Sequence, residues 1–148
     1  MSLISGESTG EIEAPIERCW SVVEDLSRAP EWQQGLRSVT VLERDAAGRP
    51  LVCETVIDAK FRDVRCRVRC SFDPPKRMTF ERISGEVPAL RGSWELQALG
   101  PERTRAVYSL AVDPGKVGLL ARPLEKALRP IVVGARPAEL AREVSRRG

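Results

Sequence analysis

The sequence predicts an α+β fold in which a curved antiparallel β-sheet wraps around one long C-terminal helix. Three observations carry that expectation. Seven segments alternate apolar and polar residues with period two. Regular turns separate the last six of them. From Val117 onward the apolar residues fall instead at helical spacing. A sheet gripping a helix leaves a cavity between them, so function is to be argued from what lines it.

The elements follow in order. From Ile4 to Ala14 one face reads Ile4, Gly6, Ser8, Gly10, Ile12 and Ala14, and the other carries Glu7, Glu11 and Glu13. This is a strand with a wet face and an unusually small inner face. Pro15 suits the first turn of a helix, where its missing N–H costs nothing. Ile16, Cys19, Trp20, Val23 and Leu26 make that helix amphipathic. It should end before Pro30, because the residue preceding a proline avoids the helical region. A second short helix or turn is expected from Pro30 to Gly35.

Strands are then expected at Val39 to Arg44, around Leu51 to Ala59, around Val64 to Phe72, from Met78 to Arg82, around Leu90 to Ala98, and from Ala106 to Val112. Asp45-Ala46-Ala47-Gly48, Asp73-Pro74-Pro75-Lys76 and Gly100-Pro101-Glu102-Arg103 are the turns between them. In the last third, Leu120, Leu124, Leu128, Ile131, Val132 and Ala135 form a helical stripe, with Arg122, Glu125, Lys126, Arg129 and Arg136 opposite. Pro123, Pro130 and Pro137 share one side and should kink or segment the helix.

Composition narrows the function. The 148 residues, 42% hydrophobic and 30% charged, fit one ordinary globular domain spanning residues 1–148. No apolar run approaches the ~20 residues of a membrane span. The first residues have neither the basic nor the apolar region of a secretory signal, and a cytoplasmic location is expected. With 24 basic and 21 acidic residues, a net charge of +3 does not call for a polyanion. Arg65, Arg67 and Arg69 make a local outer stripe without aromatics for base stacking, so no nucleic-acid partner is expected. Glu54 and Asp58 on the neighbouring strand should pair with it.

Cys19, Cys53, Cys66 and Cys70 read as buried, reduced side chains. Cys66 and Cys70 would lie ~13 Å apart along a strand, too far for a disulfide. There is no histidine, so neither a serine nor a cysteine nucleophile has its usual base. No phosphate loop or acidic metal cluster is present in the sequence, and no cofactor or metal is expected.

The segments IEAPIERCWSVVEDLSRAPEWQQGLRSVTVLE and GSWELQALGPERTRAVYSLAVDP resemble the START-like superfamily, in particular its polyketide cyclase/dehydrase and lipid-transport group. The resemblance runs over nearly the whole chain. It implies a helix-grip fold enclosing an apolar cavity. It also implies a hydrophobic small-molecule ligand such as a lipid, quinone or polyketide, and in some members cyclisation or dehydration of polyketide chains. Others are quinone-linked and dock on larger assemblies, for which the arginine stripe would be the surface here.

Within that frame, Phe72, Phe80, Trp94 and Tyr108 fall in inward strand phases and are candidates for an aromatic wall, with core packing as the competing account. Leu120, Leu124 and Leu128 would close the cavity from the helix. Arg82 continues the phase of Met78 and Phe80, and a buried arginine needs a partner. It is the candidate polar anchor and, together with Tyr108, the candidate catalytic residue if the protein is an enzyme. Arg62 shares an inward phase but sits at a turn. Trp20 and Trp32 should plug the first helices against the sheet. The stretch from Gly85 to Ala89 is a candidate gating loop.

Overall fold

The structure, a computed structural model, describes residues 4–58, 62–113, 115, 126, 129 and 135–148. The element order is β1 (Ile4–Ile12), α1 (Ile16–Val23), a 3-10 helix (Leu26–Glu31), β2 (Leu36–Arg44), β3 (Pro50–Asp58), β4 (Asp63–Asp73), β5 (Arg77–Gly85), β6 (Ala89–Gly100), β7 (Arg103–Asp113) and α2 (Arg136–Arg147). The seven strands form one antiparallel sheet in the order β1-β7-β6-β5-β4-β3-β2. β2 to β7 are thus a meander, and β1 closes on β7 with Ser8 opposite Tyr108. This is the expected helix-grip arrangement.

The second helix differs from its expected position. It occupies Leu26–Glu31 rather than Pro30 to Gly35 and holds Pro30 inside it. The Asp25 carboxylate accepts from the Ser27 N–H at 3.2 Å, which restarts the chain as 3-10 turns before the proline is reached.

The small inner face of β1 has a reason in the packing. A methyl group on Gly10 would stand 2.8 Å from the Pro137 Cβ, so glycine lets the start of α2 rest directly on the strand. α2 packs on β1, β7 and α1. Its Leu140 and Val144 are buried, and Arg18 of α1 donates to the Val144 carbonyl at 2.8 Å. Pro137 begins this helix rather than kinking it. Pro123 and Pro130 lie outside the described residues.

All four cysteines are buried and free. On the outer face, Glu54 pairs with Arg65 at 3.5 Å and with Arg67 at 3.3 Å, as the alternation requires. Asp58 pairs with Arg37 of β2 at 3.3 Å instead of with the stripe. The candidate gating stretch is tied down. The Glu86 carboxylate accepts from the Arg65 N–H at 2.6 Å and pairs with Arg62, and Val87 is buried. No described helix is long and apolar enough to cross a membrane.

Candidate ligand cavity

The inner faces of the strands, the 3-10 helix and α2 enclose an apolar cavity. Among the described residues its wall includes Leu36, Ile57, Val68, Met78, Leu90 and Leu110, with Phe80, Trp94 and Tyr108 as its aromatic part. The alternation of β5, β6 and β7 places these three rings. Met78 stands opposite Trp94, Phe80 opposite Gly92, and Trp94 opposite Tyr108. The Trp94 and Tyr108 ring centres are 4.8 Å apart with planes tilted by 56°, and those of Phe80 and Tyr108 are 6.5 Å apart. Behind them, Trp32 meets Trp94 at 6.0 Å, so the 3-10 helix buttresses the wall. The cavity volume is about 60 Å³. That is space for a few waters.

Gly92 makes room for Phe80. A Cβ there would overlap the tip of the Phe80 ring, with Cε2 2.7 Å and Cε1 2.9 Å away. The ring therefore lies across a bare stretch of β6.

The polar lining is sparse. Gln33, Thr55, Tyr108 and Arg136 reach the cavity. The Thr55 hydroxyl is occupied, donating to the Cys66 carbonyl at 2.8 Å. Arg136 is the charged member among the described residues, and it is buried. Its Nη1 donates to the Glu139 carboxylate at 2.7 Å and to the Gln34 carbonyl at 2.9 Å. The other Glu139 oxygen accepts from the Gln34 N–H at 2.9 Å. The guanidinium lies 5.7 Å from the Tyr108 ring centre, within cation–π range. The Arg136 Nε–H is buried without a hydrogen-bond partner among the described residues. Burial pushes the Tyr108 hydroxyl above its usual range, against the pull of the Arg136 guanidinium. Like any phenol it carries its proton at neutral pH, and it can donate a hydrogen bond.

The expected site residues separate into groups. Phe80, Trp94 and Tyr108 come together on the cavity. Phe72 is half-buried at the end of β4, edge-on to Trp20 at 6.4 Å and beneath Arg49 at 5.7 Å, and the described lining does not include it. Arg82 keeps its inward strand phase, opposite Val68. Its guanidinium turns to the sheet's end, where Nη2 donates to the Gly85 carbonyl at 3.3 Å. There it lines a cleft with Glu81, Pro88, Leu90 and Asp113, beyond the last β5–β6 pair, Glu81 with Arg91. Leu120, Leu124 and Leu128 lie outside the described residues.

Arg136 corrects the sequence reading, which set it on the polar side of the terminal helix. The stripe Leu120 to Ala135 does not run on through α2. That helix buries Arg136, Glu139, Leu140, Glu143 and Val144, a face in which the acidic partners are buried beside the apolar ones. The three- and four-residue spacing from Arg136 was the available signal.

Residues 12–134 match the family model described as polyketide cyclase / dehydrase and lipid transport. The chain belongs to that family. Solved structures share the fold of this polyketide cyclase/dehydrase family member. The Zhui aromatase/cyclase from Streptomyces sp. R1128 superposes with a TM-score of 0.82 at 20% identity, over 99% of this chain and 96% of that one. A protein from Thermus thermophilus gives 0.81 at 22% identity, over 97% and 99%. A START superfamily protein from Mycobacterium smegmatis gives 0.77 at 17% identity, over 97% and 99%. No match is found among curated proteins. Membership brings hydrophobic ligand binding or polyketide cyclisation as the range of functions.

Proposed function

We propose that this protein binds a hydrophobic small molecule in the cavity between sheet and helix, to carry or present it. The observation that carries the reading is the wall of Phe80, Trp94 and Tyr108 in an otherwise aliphatic lining. Stacked and edge-on ring contacts of this kind stabilise a flat ligand by ~0.5–1.5 kcal/mol each beyond the area they bury. Arg136 and Tyr108 are the polar groups that orient it, in place of Arg82. The narrow cavity admits a ring system only as lining side chains move, and Leu36, Ile57 and Phe80 are half-buried members of the wall.

Native mass spectrometry of freshly purified protein, followed by extraction, tests this. A stoichiometric apolar adduct, lost in Trp94→Ala protein that still folds, is the expected result. Unchanged adduct binding in that variant and in Tyr108→Ala would remove the aromatic wall from the reading.

A second reading, polyketide cyclisation or dehydration, is favoured by one feature. Tyr108 and Arg136 set two donors side by side, where they can polarise a ligand carbonyl. Turnover of a poly-β-ketone surrogate, reduced at least ~100-fold in Tyr108→Phe, would support it. Product at the spontaneous rate would exclude it.

A further inference from the structure

The same cavity carries a rule of ligand charge, which rests on the binding reading above. We infer that it selects an uncharged ligand bearing a carbonyl or phenolic oxygen, and discriminates against the corresponding carboxylate. The argument starts from Arg136. Alone, a buried guanidinium in an apolar wall would draw an anion. Here its charge is already balanced by Glu139, 2.7 Å away and as deeply buried. Glu139 is in turn fixed by the Gln34 N–H, and Arg136 by the Gln34 carbonyl. The pair is neutral as a unit, and Gln34 holds both of its members.

What the pair still offers is a donor. Nε–H is buried without a partner among the described residues, on a side chain that lines the cavity. A buried, unsatisfied donor is costly, and a ligand oxygen relieves it. The adjoining Tyr108 hydroxyl, protonated at neutral pH like any phenol and itself hydrogen-bonded by Arg136, has its own O–H as a second donor. Two donors with no net charge suit a neutral acceptor. A carboxylate would bring an uncompensated charge into the apolar wall beside Glu139, and its desolvation would go unrepaid.

The test uses three probes of one shape: naphthalene, 2-acetylnaphthalene and 2-naphthoate, titrated into the full-length protein by protein-observed NMR at neutral pH. The ketone should bind about three- to ten-fold tighter than the hydrocarbon, the range of one net hydrogen bond. The naphthoate should bind at least about ten-fold weaker than the ketone. The Arg136 Nε–H resonance should shift with the ketone and not with naphthalene. Glu139→Gln keeps an acceptor for Arg136 but removes the balancing charge, and should move the preference about ten-fold toward naphthoate. If that variant does not fold, the wild-type order and the Arg136 resonance still decide. Naphthoate binding as tightly as the ketone overturns the inference, as does a ketone no tighter than naphthalene. Binding of none of the three counts against the cavity reading itself.

Discussion

Arg136 and Glu139, one helical turn apart, form a 2.7 Å ion pair in which both side chains are only 5% exposed. A pair of this kind contributes little to stability relative to a well-packed apolar pair, yet breaking it is expensive. Its place at the head of α2 makes it a constraint on the cavity as much as a fold contact.

Glu139→Ala should therefore lower the unfolding free energy by about 3–5 kcal/mol, because it strands the Arg136 charge in the core. The double variant Arg136→Met with Glu139→Leu should recover most of that loss. Urea unfolding midpoints compare the two. A double variant as unstable as Glu139→Ala would mean that the Gln34 tethers, rather than charge balance, carry the cost.

Gly10 offers a sharper steric case. Gly10→Ala drives a methyl group against Pro137 and should cost about 1–3 kcal/mol, since both partners are held by backbone. Gly100→Ala is the control. Nothing lies within 4 Å of its Cβ position, and its effect should stay within about 0.5 kcal/mol. Thermal unfolding of the two side by side separates close approach from a general intolerance of glycine replacement.

These residues also mark what the sequence discloses. Period-two alternation places every strand, because one buried face forces apolar residues into one phase. It also turns Phe80, Trp94 and Tyr108 inward. Phase alone does not say where along the sheet the cavity lies. Phe72 has the inward phase but sits at the end of β4 against Trp20. Arg82 has it too, but a long side chain leaves its Cβ direction, and Gly85 offers it a carbonyl at the sheet's end. Arg136 was hidden for the opposite reason. A charge is assigned to solvent by pattern, and only three-dimensional placement against Glu139 and Gln34 makes its burial tolerable.

The cysteines should behave as core side chains. Burial raises the thiol pKa of Cys19 and Cys66. At Cys70 the neighbouring Cys53 thiol and burial raise it together. At Cys53 the Cys70 hydrogen bond lowers it instead, so there only burial keeps reagent away. Thiolates are the reactive form and all four side chains are buried, so native protein at pH 8 should react with none of its four thiols on the timescale of a thiol-exchange assay. All four should become reactive in denaturant. Fast reaction of even one thiol in the native state would show that the concave face opens on that timescale.

The tail of α2 sets an acid dependence. Glu143 is gripped by Arg146 at 2.6 Å and by Arg147 at 2.6 Å. The Arg146 hydrogen bond, followed by that of Arg147, holds its carboxyl down at about 2, against a usual value of 4.5. A carboxyl whose folded-state pKa lies below its unfolded one contributes stability that is fully present above the unfolded value. That contribution is lost as pH falls toward the folded value. The window here runs from about 4.5 down to about 2. Glu143→Gln should lower stability at pH 7 and flatten the fall across that window. Urea midpoints at pH 7, 4.5, 3 and 2 measure both. An equal slope in the variant would assign the acid sensitivity to other carboxylates and leave Glu143 a packing residue beside Leu140 and Val144.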